Sequence, residues 1–265
     1  MTAVPAPRAL RVPALLLALV IGITACTGVA ASTATDTRSE GTVTGAGRGS
    51  LPLPSGDVPP ATASYIARAR GPLLEVFDAP GGGIPVESGP LDNPTNNGTA
   101  LVLAVVGQPD PAAEWLKVLL PVRPNFSTGW VRAADVEVTW TDYTIDIDLS
   151  EHRLELRRGG ELVTWGTVAI GRPGARTPTG RTAVNELLAS PEPEGLYGPF
   201  ALGLSLWSDT VTEYAGGNGQ IGIHGTNRPE LLGSDVSLGC VRVGNDLVTD
   251  LAGRVPLGTP VVIHD

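Results

Sequence analysis

Cysteine and histidine are both rare in this chain of 265 residues, which contains two cysteines, Cys26 and Cys240, and three histidines. Two thiols are too few for the multi-thiolate zinc sites of small metal-binding modules, and no two histidines have the spacing of metal ligands. The sequence therefore predicts that the protein contains no metal site.

Basic side chains are also in the minority, since 18 lysines and arginines face 27 aspartates and glutamates, which gives a formal net charge of -9. A chain with this excess of negative charge is not expected to bind nucleic acid, nor to attach to anionic lipid through electrostatic attraction. The charge says little about the substrate, and the sequence does not indicate an oligomeric state.

Long segments with helical periodicity are missing between residues 65 and 138, where short apolar runs alternate with turn-forming clusters. The 34 glycines and 24 prolines fit a loop-rich, mainly β protein. We predict a small all-β module over residues 62–139. Residues 129–132 (GWVR) resemble the closing strand of a bacterial Src-homology-3-like barrel. This module has two possible roles: it binds the cell wall or a partner, or it is a packing and spacing domain. The absence of an aromatic cluster favours packing and spacing.

Alternating apolar and polar residues predict a second, β-rich domain over residues 140–265. Residues 143–149 and 153–157 are predicted strands, and a hairpin turn at residues 158–161 leads into the next one. Near the end of the chain, Asn245 or Asp246 is expected to cap a short helix that stops at Gly253.

The first 25 residues have the pattern of an export signal, with Arg8 and Arg11 ahead of an apolar run that is short for a membrane span. Residues 23–26 (ITAC) resemble the lipobox of bacterial lipoproteins. This resemblance implies cleavage before Cys26, diacylglycerol on its sulfur, and an extracytoplasmic protein anchored in the cell membrane and facing the wall. An ordinary cleaved signal and a retained transmembrane anchor are the alternatives. Residues 26–61 are predicted to be a disordered tether.

Lipidation of Cys26 would leave Cys240 without a partner for an internal disulfide. An unpaired thiol in an oxidising compartment is a liability unless the protein uses it. Thiolates attack carbonyl groups, and a nearby imidazole can remove the thiol proton. The sequence therefore predicts that Cys240 is a nucleophile and His224 its base; a buried structural cysteine beside an unrelated histidine is the alternative.

The residues around this pair form a longer ordered pattern, with residues 221–227 (IGIHGTN), Gly233, and residues 237–242 (SLGCVR). This pattern resembles the active-site signature of the L,D-transpeptidase (YkuD-type) catalytic domain family. Residues 170–171 (IG) and 177–180 (TPTG) resemble the upstream turn of the family. One position departs from the pattern, because Leu238 stands where many members carry a second histidine.

The resemblance implies a role for each matching residue. The carbonyl of Gly225 would orient His224, and the amides of Leu238, Gly239 and Cys240 are the candidate donors to an oxyanion.

Three further residues belong to the expected site. Ser237 is a small hydroxyl beside the nucleophile. Arg242 would bind a substrate carboxylate or form a structural ion pair. Tyr197 would lie in a loop, residues 191–198, that covers the catalytic cleft as a lid, or it is an ordinary loop aromatic.

By the same resemblance the expected activity is peptidoglycan L,D-transpeptidation. A tetrapeptide stem is cleaved before its terminal D-alanine, a thioester forms on Cys240, and the side-chain amine of a second stem accepts the acyl group. No cofactor is expected, because the cleaved amide supplies the energy. The alternatives are an L,D-carboxypeptidase that uses water as acceptor, transfer of the stem to a protein amine, and a non-catalytic wall-binding lipoprotein.

Overall fold

The computed structural model describes residues 59–213 and 217–265. The predicted signal peptide, Cys26 and all but the last three residues of the predicted tether lie outside this part of the chain. Within the described residues, no helix has the length and apolar character needed to span a membrane.

The first half of the described chain contains seven strands. They are β1 (Ser64–Ala69), β2 (Leu73–Leu74), β3 (Leu91–Asp92), β4 (Val102–Ala104), β5 (Trp115–Leu119), β6 (Thr128–Arg132) and β7 (Val136–Thr141). An antiparallel sheet has the order β4-β1-β7, and β2 pairs with β3 and β5 with β6 as separate hairpin-like units. The short 3-10 helix Ala133–Asp135 connects β6 to β7. Alternate residues of these strands turn inward and form a core that includes Ala67, Leu103, Val118 and Val131.

The second half is built on a mixed sheet of eight strands in the order β10-β9-β8-β17-β12-β13-β14-β16. Its strands are β8 (Tyr143–Asp148), β9 (Arg153–Arg158), β10 (Glu161–Thr167), β12 (Gly180–Ala189), β13 (Phe200–Trp207), β14 (Gln220–His224), β16 (Val241–Arg242) and β17 (Pro260–His264), and the short strands β11 (Ile170–Gly171) and β15 (Asp235–Ser237) pair with each other. The 3-10 helix Pro229–Leu231 lies between β14 and β15.

One α-helix, α1 (Asn245–Arg254), packs on this sheet through Val248 and Leu251, both fully buried. The central strands contribute Leu202, Ile223, Val241 and other apolar side chains to the same core. Burial of this many aliphatic side chains at about 25 cal/mol per Å² is the main source of stability for such a sheet.

Both hydrogen bonds and an aromatic contact join the two halves. The side chain of Asn125 pairs with the backbone of Trp207 like a strand neighbour: Oδ1 accepts from the Trp207 amide and Nδ2 donates to the Trp207 carbonyl, each at 2.8 Å. Arg123 donates to the carbonyls of Ser208 and Asn218. The ring of Phe126 lies against Gly180, where a Cβ atom would come within 2.5 Å of Cζ.

The prediction of a mainly β protein is confirmed. The division at residues 139 and 140 stays a prediction, and β7 (Val136–Thr141) runs across it. The predicted helix bounds were wrong, because α1 begins at Asn245 after Gly244 as N-cap, and it continues through Gly253 to Arg254. Asn245 does not cap the helix, since its Oδ1 accepts a hydrogen bond from the Thr226 amide instead.

Candidate active site

His224 and Cys240 lie on one face of the parallel pair formed by β14 and β16. Ile223 pairs with Val241, and both side chains are fully buried in the core on the opposite face. Because side chains alternate along a strand, the flanking positions point away from that core. His224 and Cys240 line the same cavity of about 670 Å³. Gly222, the neighbour of Cys240 in this register, carries no side chain on this face.

The His224 imidazole is nearly enclosed, with 4% of the residue exposed. Its Nδ1 lies 2.7 Å from the carbonyl oxygen of Gly225. A carbonyl can only accept, so Nδ1 carries the proton and Nε2 is left as the basic nitrogen. Burial lowers the pKa of His224 to about 4, and the nearby Arg242 cation acts in the same direction, while the bond to Gly225 opposes both. The imidazole is therefore neutral at neutral pH.

The Cys240 thiol is partly accessible and lies 3.9 Å from the carbonyl of Gln220. Burial raises the pKa of Cys240 above its ordinary value, and the backbone amide of Gly222 and the charge of Arg242 only partly oppose this. The resting pair is thus an uncharged thiol and an uncharged imidazole. In this state the imidazole can act as a general base that removes the thiol proton during attack.

The turn that carries the nucleophile is held by two hydroxyl groups. Ser237 Oγ donates to the Cys240 carbonyl at 2.6 Å and accepts from the Gly239 amide at 3.0 Å. Thr177 Oγ1 donates to the Gly239 carbonyl at 2.8 Å and accepts from the Gly171 amide at 3.0 Å. Gly239 has φ 121°, a conformation that side-chain-bearing residues rarely adopt, and a Cβ atom there would meet Ile221 at 2.8 Å. The upstream TPTG turn and the Ser-Leu-Gly-Cys turn therefore form one hydrogen-bonded unit.

These bonds bear on the predicted oxyanion donors. The Gly239 amide is already engaged by Ser237, which leaves the amides of Leu238 and Cys240 as the predicted donors of that turn. Leu238 lines the cavity beside Cys240. Ser237 is almost completely buried and does not line the cavity, so the structure places it as a support of the turn.

Arg242 is the residue of β16 that pairs with His224 of β14. It does not line the cavity, and its Nε atom is buried without a hydrogen-bond partner in the described part of the chain. No ion pair of Arg242 occurs there either, and both roles considered for this residue stay predictions.

Tyr197 lies in the loop between β12 and β13, and this loop forms part of the cavity wall. Its ring is tilted over the imidazole of His224, with 4.8 Å between ring centroids and 59° between planes. The phenol ring therefore covers one face of the imidazole.

The opposite wall of the cavity comes from the first half of the chain, through residues of the segment 90–101 and Pro121. On the sheet side, a register shift between Val184 and Glu186 marks a β-bulge in β12. Both Asn185 and Glu186 line the cavity as a result. Glu186 accepts a hydrogen bond from Asn97 Nδ2, which joins the two walls.

Sequence reasoning missed several residues of this site. Asn245 holds the turn after His224 from α1, and Asn97 and Glu186 meet across the cavity. None of the three belongs to a short motif, and the hydrogen bonds join positions far apart in the chain.

The described residues contain no group of three or more histidine, cysteine, aspartate or glutamate side chains placed to hold an ion, and the absence of a metal site stays a prediction. The other two histidines lie at the surface away from the cavity. His152 pairs with Asp235 and His264 with Asp146.

Comparisons with known proteins point to one family. Residues 142–263 match the family described as YkuD, L,D-transpeptidase catalytic domain. A protein of Bacillus licheniformis named "Putative L,D-transpeptidase YkuD" is 35% identical over 154 residues, which are 56% of this chain and 85% of that protein. The protein of the same name from Bacillus subtilis is 32% identical over 152 residues, 55% of this chain and 84% of that protein. The solved structure of Bdellovibrio bacteriovorus Bd1075 is 31% identical with a TM-score of 0.37, and the match covers 47% of this chain and 48% of that one.

Proposed function

The chain belongs to the YkuD-type L,D-transpeptidase catalytic domain family, and from this premise we propose that it is a cysteine acyltransferase that cross-links peptidoglycan stem peptides. The observation that carries the proposal is the shared cavity of His224 and Cys240, in which a neutral imidazole with a free Nε2 faces the same space as the thiol.

In the first step, His224 Nε2 takes the thiol proton while Cys240 Sγ attacks the carbonyl carbon of the third residue of a donor tetrapeptide. The oxyanion is stabilised by the amides of Leu238 and Cys240, and one such donor is worth about 3 kcal/mol in comparable enzymes. When the tetrahedral intermediate collapses, the amide C–N bond breaks. The proton on Nε2 passes to the leaving nitrogen, D-alanine departs, and a thioester remains on Cys240.

In the second step, the side-chain amine of another stem attacks the thioester carbonyl. Nε2 takes a proton from this amine, the C–S bond breaks, and Cys240 recovers its proton from His224. The net reaction exchanges one amide bond for another, so it needs no nucleotide.

The carboxylate of the leaving D-alanine needs a positive partner. Arg242 is the cation whose charge lowers the pKa of both His224 and Cys240. It has no carboxylate partner among the described residues. We therefore propose that Arg242, whose partly exposed side chain is not part of the cavity lining, attracts the carboxylate of the stem peptide through its charge.

The test is incubation of residues 59–265 with a disaccharide tetrapeptide, followed by mass analysis. The proposal predicts free D-alanine together with a cross-linked dimer. D-alanine with tripeptide and no dimer would instead identify an L,D-carboxypeptidase. No covalent intermediate and no product would overturn the enzymatic assignment and favour a wall-binding protein.

We further propose that the protein acts outside the cytoplasm, anchored through a lipid on Cys26 and tethered by residues 26–61. The support is the sequence pattern of residues 1–26 alone. Mass analysis of the N-terminal peptide from membranes tests it, with a diacylglyceryl cysteine as the expected result. A soluble mature protein starting after an ordinary cleavage site would contradict it.

A further inference from the structure

A buried carboxylate without a counter-ion lies in the cleft. Glu186 is 6% exposed and lines the same cavity as Cys240. Its Oε2 accepts a hydrogen bond from the Asn97 side-chain amide. No lysine, arginine or histidine of the described chain pairs with Glu186, and its Oε1 has no donor there. A buried charge is costly unless a partner of opposite sign compensates it.

The rest of the cavity lining does not supply that partner. Among its described residues the only other charged side chain is Asp92, a second carboxylate on the opposite wall, and no lysine or arginine is present. Thr95 also lines the cavity, and its Oγ1 is shielded from solvent without a hydrogen-bond partner in the described residues. The far end of the cleft is therefore a negatively charged, polar space that suits a cation brought by the substrate.

The sheet connects this space to the nucleophile by a row of residues. Glu186 pairs with Gly203, and Gly203 pairs with Gly222. Since Ile223 pairs with Val241, Gly222 is the neighbour of Cys240 in the same row. Both intermediate positions are glycines and add no side chain of their own, and the side-chain amide of Gln220 borders the row, with its Nε2 3.2 Å from where a Cβ of Gly203 would lie. With neighbouring strands about 4.8 Å apart, three steps separate the two Cα atoms by roughly 14 Å.

We propose that Glu186, held by Asn97, binds the ammonium group at the end of the side chain of the donor's third residue, the residue whose carbonyl Cys240 attacks. This assignment rests on the proposed function and adds a specificity site to it. It makes the first half of the chain a contributor to substrate recognition, because Asn97 and Asp92 both come from that half.

The length of the side chain fits the row. An extended chain advances about 3.5 Å for every three bonds, so the six bonds from a lysine-like carbonyl carbon to its amine cover roughly 7 Å. The Glu186 and Cys240 side chains and the final hydrogen bond account for the remaining distance. A shorter diamino side chain would leave the ammonium group short of the carboxylate.

The experiment compares two synthetic donor tetrapeptides that differ only at the third residue, one with lysine and one with norleucine, which has a similar length and no charge. The readout is the ratio of second-order rate constants for release of D-alanine. An ion pair in a partly desolvated cavity is expected to change the second-order rate constant by a factor of about 10 to 100. Wild type is therefore expected to prefer lysine by about tenfold or more, mainly through KM.

Glu186→Gln keeps the shape and the hydrogen bond with Asn97, and it is expected to bring the ratio close to one. Glu161→Gln, at the exposed first residue of β10, is the matched control and should keep the wild-type ratio. Asn97→Ala keeps the Glu186 side chain and removes the hydrogen bond that holds it, and an intermediate ratio is expected. Thermal unfolding of each variant shows whether a lost preference reflects a lost fold.

The two levels of the proposal fail differently. If neither donor acylates wild-type protein, the proposed function fails and this assignment fails with it. If both donors react equally well in wild type, or if the preference for lysine survives in folded Glu186→Gln, the enzyme stands and only the Glu186 site is overturned.

Discussion

The imidazole of His224 donates its Nδ1 proton to the carbonyl oxygen of Gly225 at 2.7 Å. This single bond fixes both the ring orientation and the tautomer, a task that a carboxylate performs in many catalytic triads. A neutral acceptor does not stabilise an imidazolium as strongly as a carboxylate does. Together with the burial of the ring, this keeps His224 uncharged until the thiol proton is transferred.

The pH dependence of acylation should reflect this neutral base. Because His224 must be unprotonated to accept the thiol proton, and its pKa is lowered to about 4, kcat/KM for donor acylation should rise with pH across pH 4 and be level through neutral pH. Stopped-flow acylation by a chromogenic β-lactam across pH 3–8 measures this. A rise centred near pH 6.5, the ordinary value for histidine, would contradict it.

Removal of the Tyr197 ring should move that rise to higher pH. The phenol ring covers His224 at a centroid distance of 4.8 Å, so Tyr197→Ala admits water and weakens the desolvation that lowers the pKa. We expect the midpoint of the acylation profile to increase towards the ordinary histidine range. Tyr197→Phe keeps the ring and is the matched control. Equal midpoints in Tyr197→Ala and wild type would show that the ring does not set the pKa.

The same buried imidazole makes folding sensitive to acid. The unfolded chain binds a proton on His224 near pH 6.5, whereas the folded chain does so only near pH 4. The stabilisation is therefore complete above pH 6.5 and is lost as the pH falls towards 4, by about 3 kcal/mol for a shift of this size. Urea unfolding of wild type and His224→Gln at pH 7 and pH 4 tests this. The variant should lose less stability between the two pH values, and an identical loss would argue against the lowered pKa.

Substitution of Ser237 should change the conformation of the turn that carries Cys240, although Ser237 does not line the cavity. Ser237→Ala leaves the Gly239 amide and the Cys240 carbonyl without their hydroxyl partner. Each buried unsatisfied group costs about 1–3 kcal/mol, so both the free energy of unfolding and the acylation rate should fall, the rate by about tenfold or more. The exposed Ser150→Ala serves as control. Wild-type acylation by folded Ser237→Ala would mean that the turn holds its shape without the hydroxyl.

Asn125 should matter for the cleft although it does not line it. Asn125→Ala removes both hydrogen bonds to the backbone of Trp207, a residue of the cavity wall. A loss of about 2 kcal/mol in the free energy of unfolding is expected, at about 1 kcal/mol per bond. The KM for donor peptide should increase as the wall loosens. Chemical unfolding and steady-state kinetics measure the two effects, and an unchanged KM would separate this contact from substrate binding.

A covalent trap tests the nucleophile directly. The thiolate proposed for Cys240 should open the strained β-lactam ring of meropenem, so meropenem should add its mass to the wild-type protein and not to Cys240→Ala. Intact-protein mass spectrometry gives the answer, and unfolding curves verify that the variant is folded. An adduct that persists in Cys240→Ala would locate the acylated group elsewhere.

The features of this protein that can be predicted from the sequence are those that depend on residues close together in the chain. His224, Gly225, Ser237 and Cys240 stand within 17 positions, and the motif itself forces the turn that the structure contains. Strands were predicted where apolar and polar residues alternate, because each such strand has one buried face.

The remaining features depend on contacts that no short pattern encodes. Asn97 meets Glu186 across 89 positions and Asn125 meets Trp207 across 82. Asn245 was predicted to cap its own helix, but the Thr226 amide competes successfully for the same oxygen. In each case a long-range partner decided the role of an amide side chain that local chemistry left open.

The cavity wall formed by residues 90–101 also has a practical consequence for inhibitor discovery. A fragment starting near residue 140 would retain His224 and Cys240, but its cavity would lack the wall formed by residues 90–101. Compounds selected against such a fragment could occupy volume that belongs to protein in the longer chain. Screening is better carried out on a protein that begins no later than residue 59.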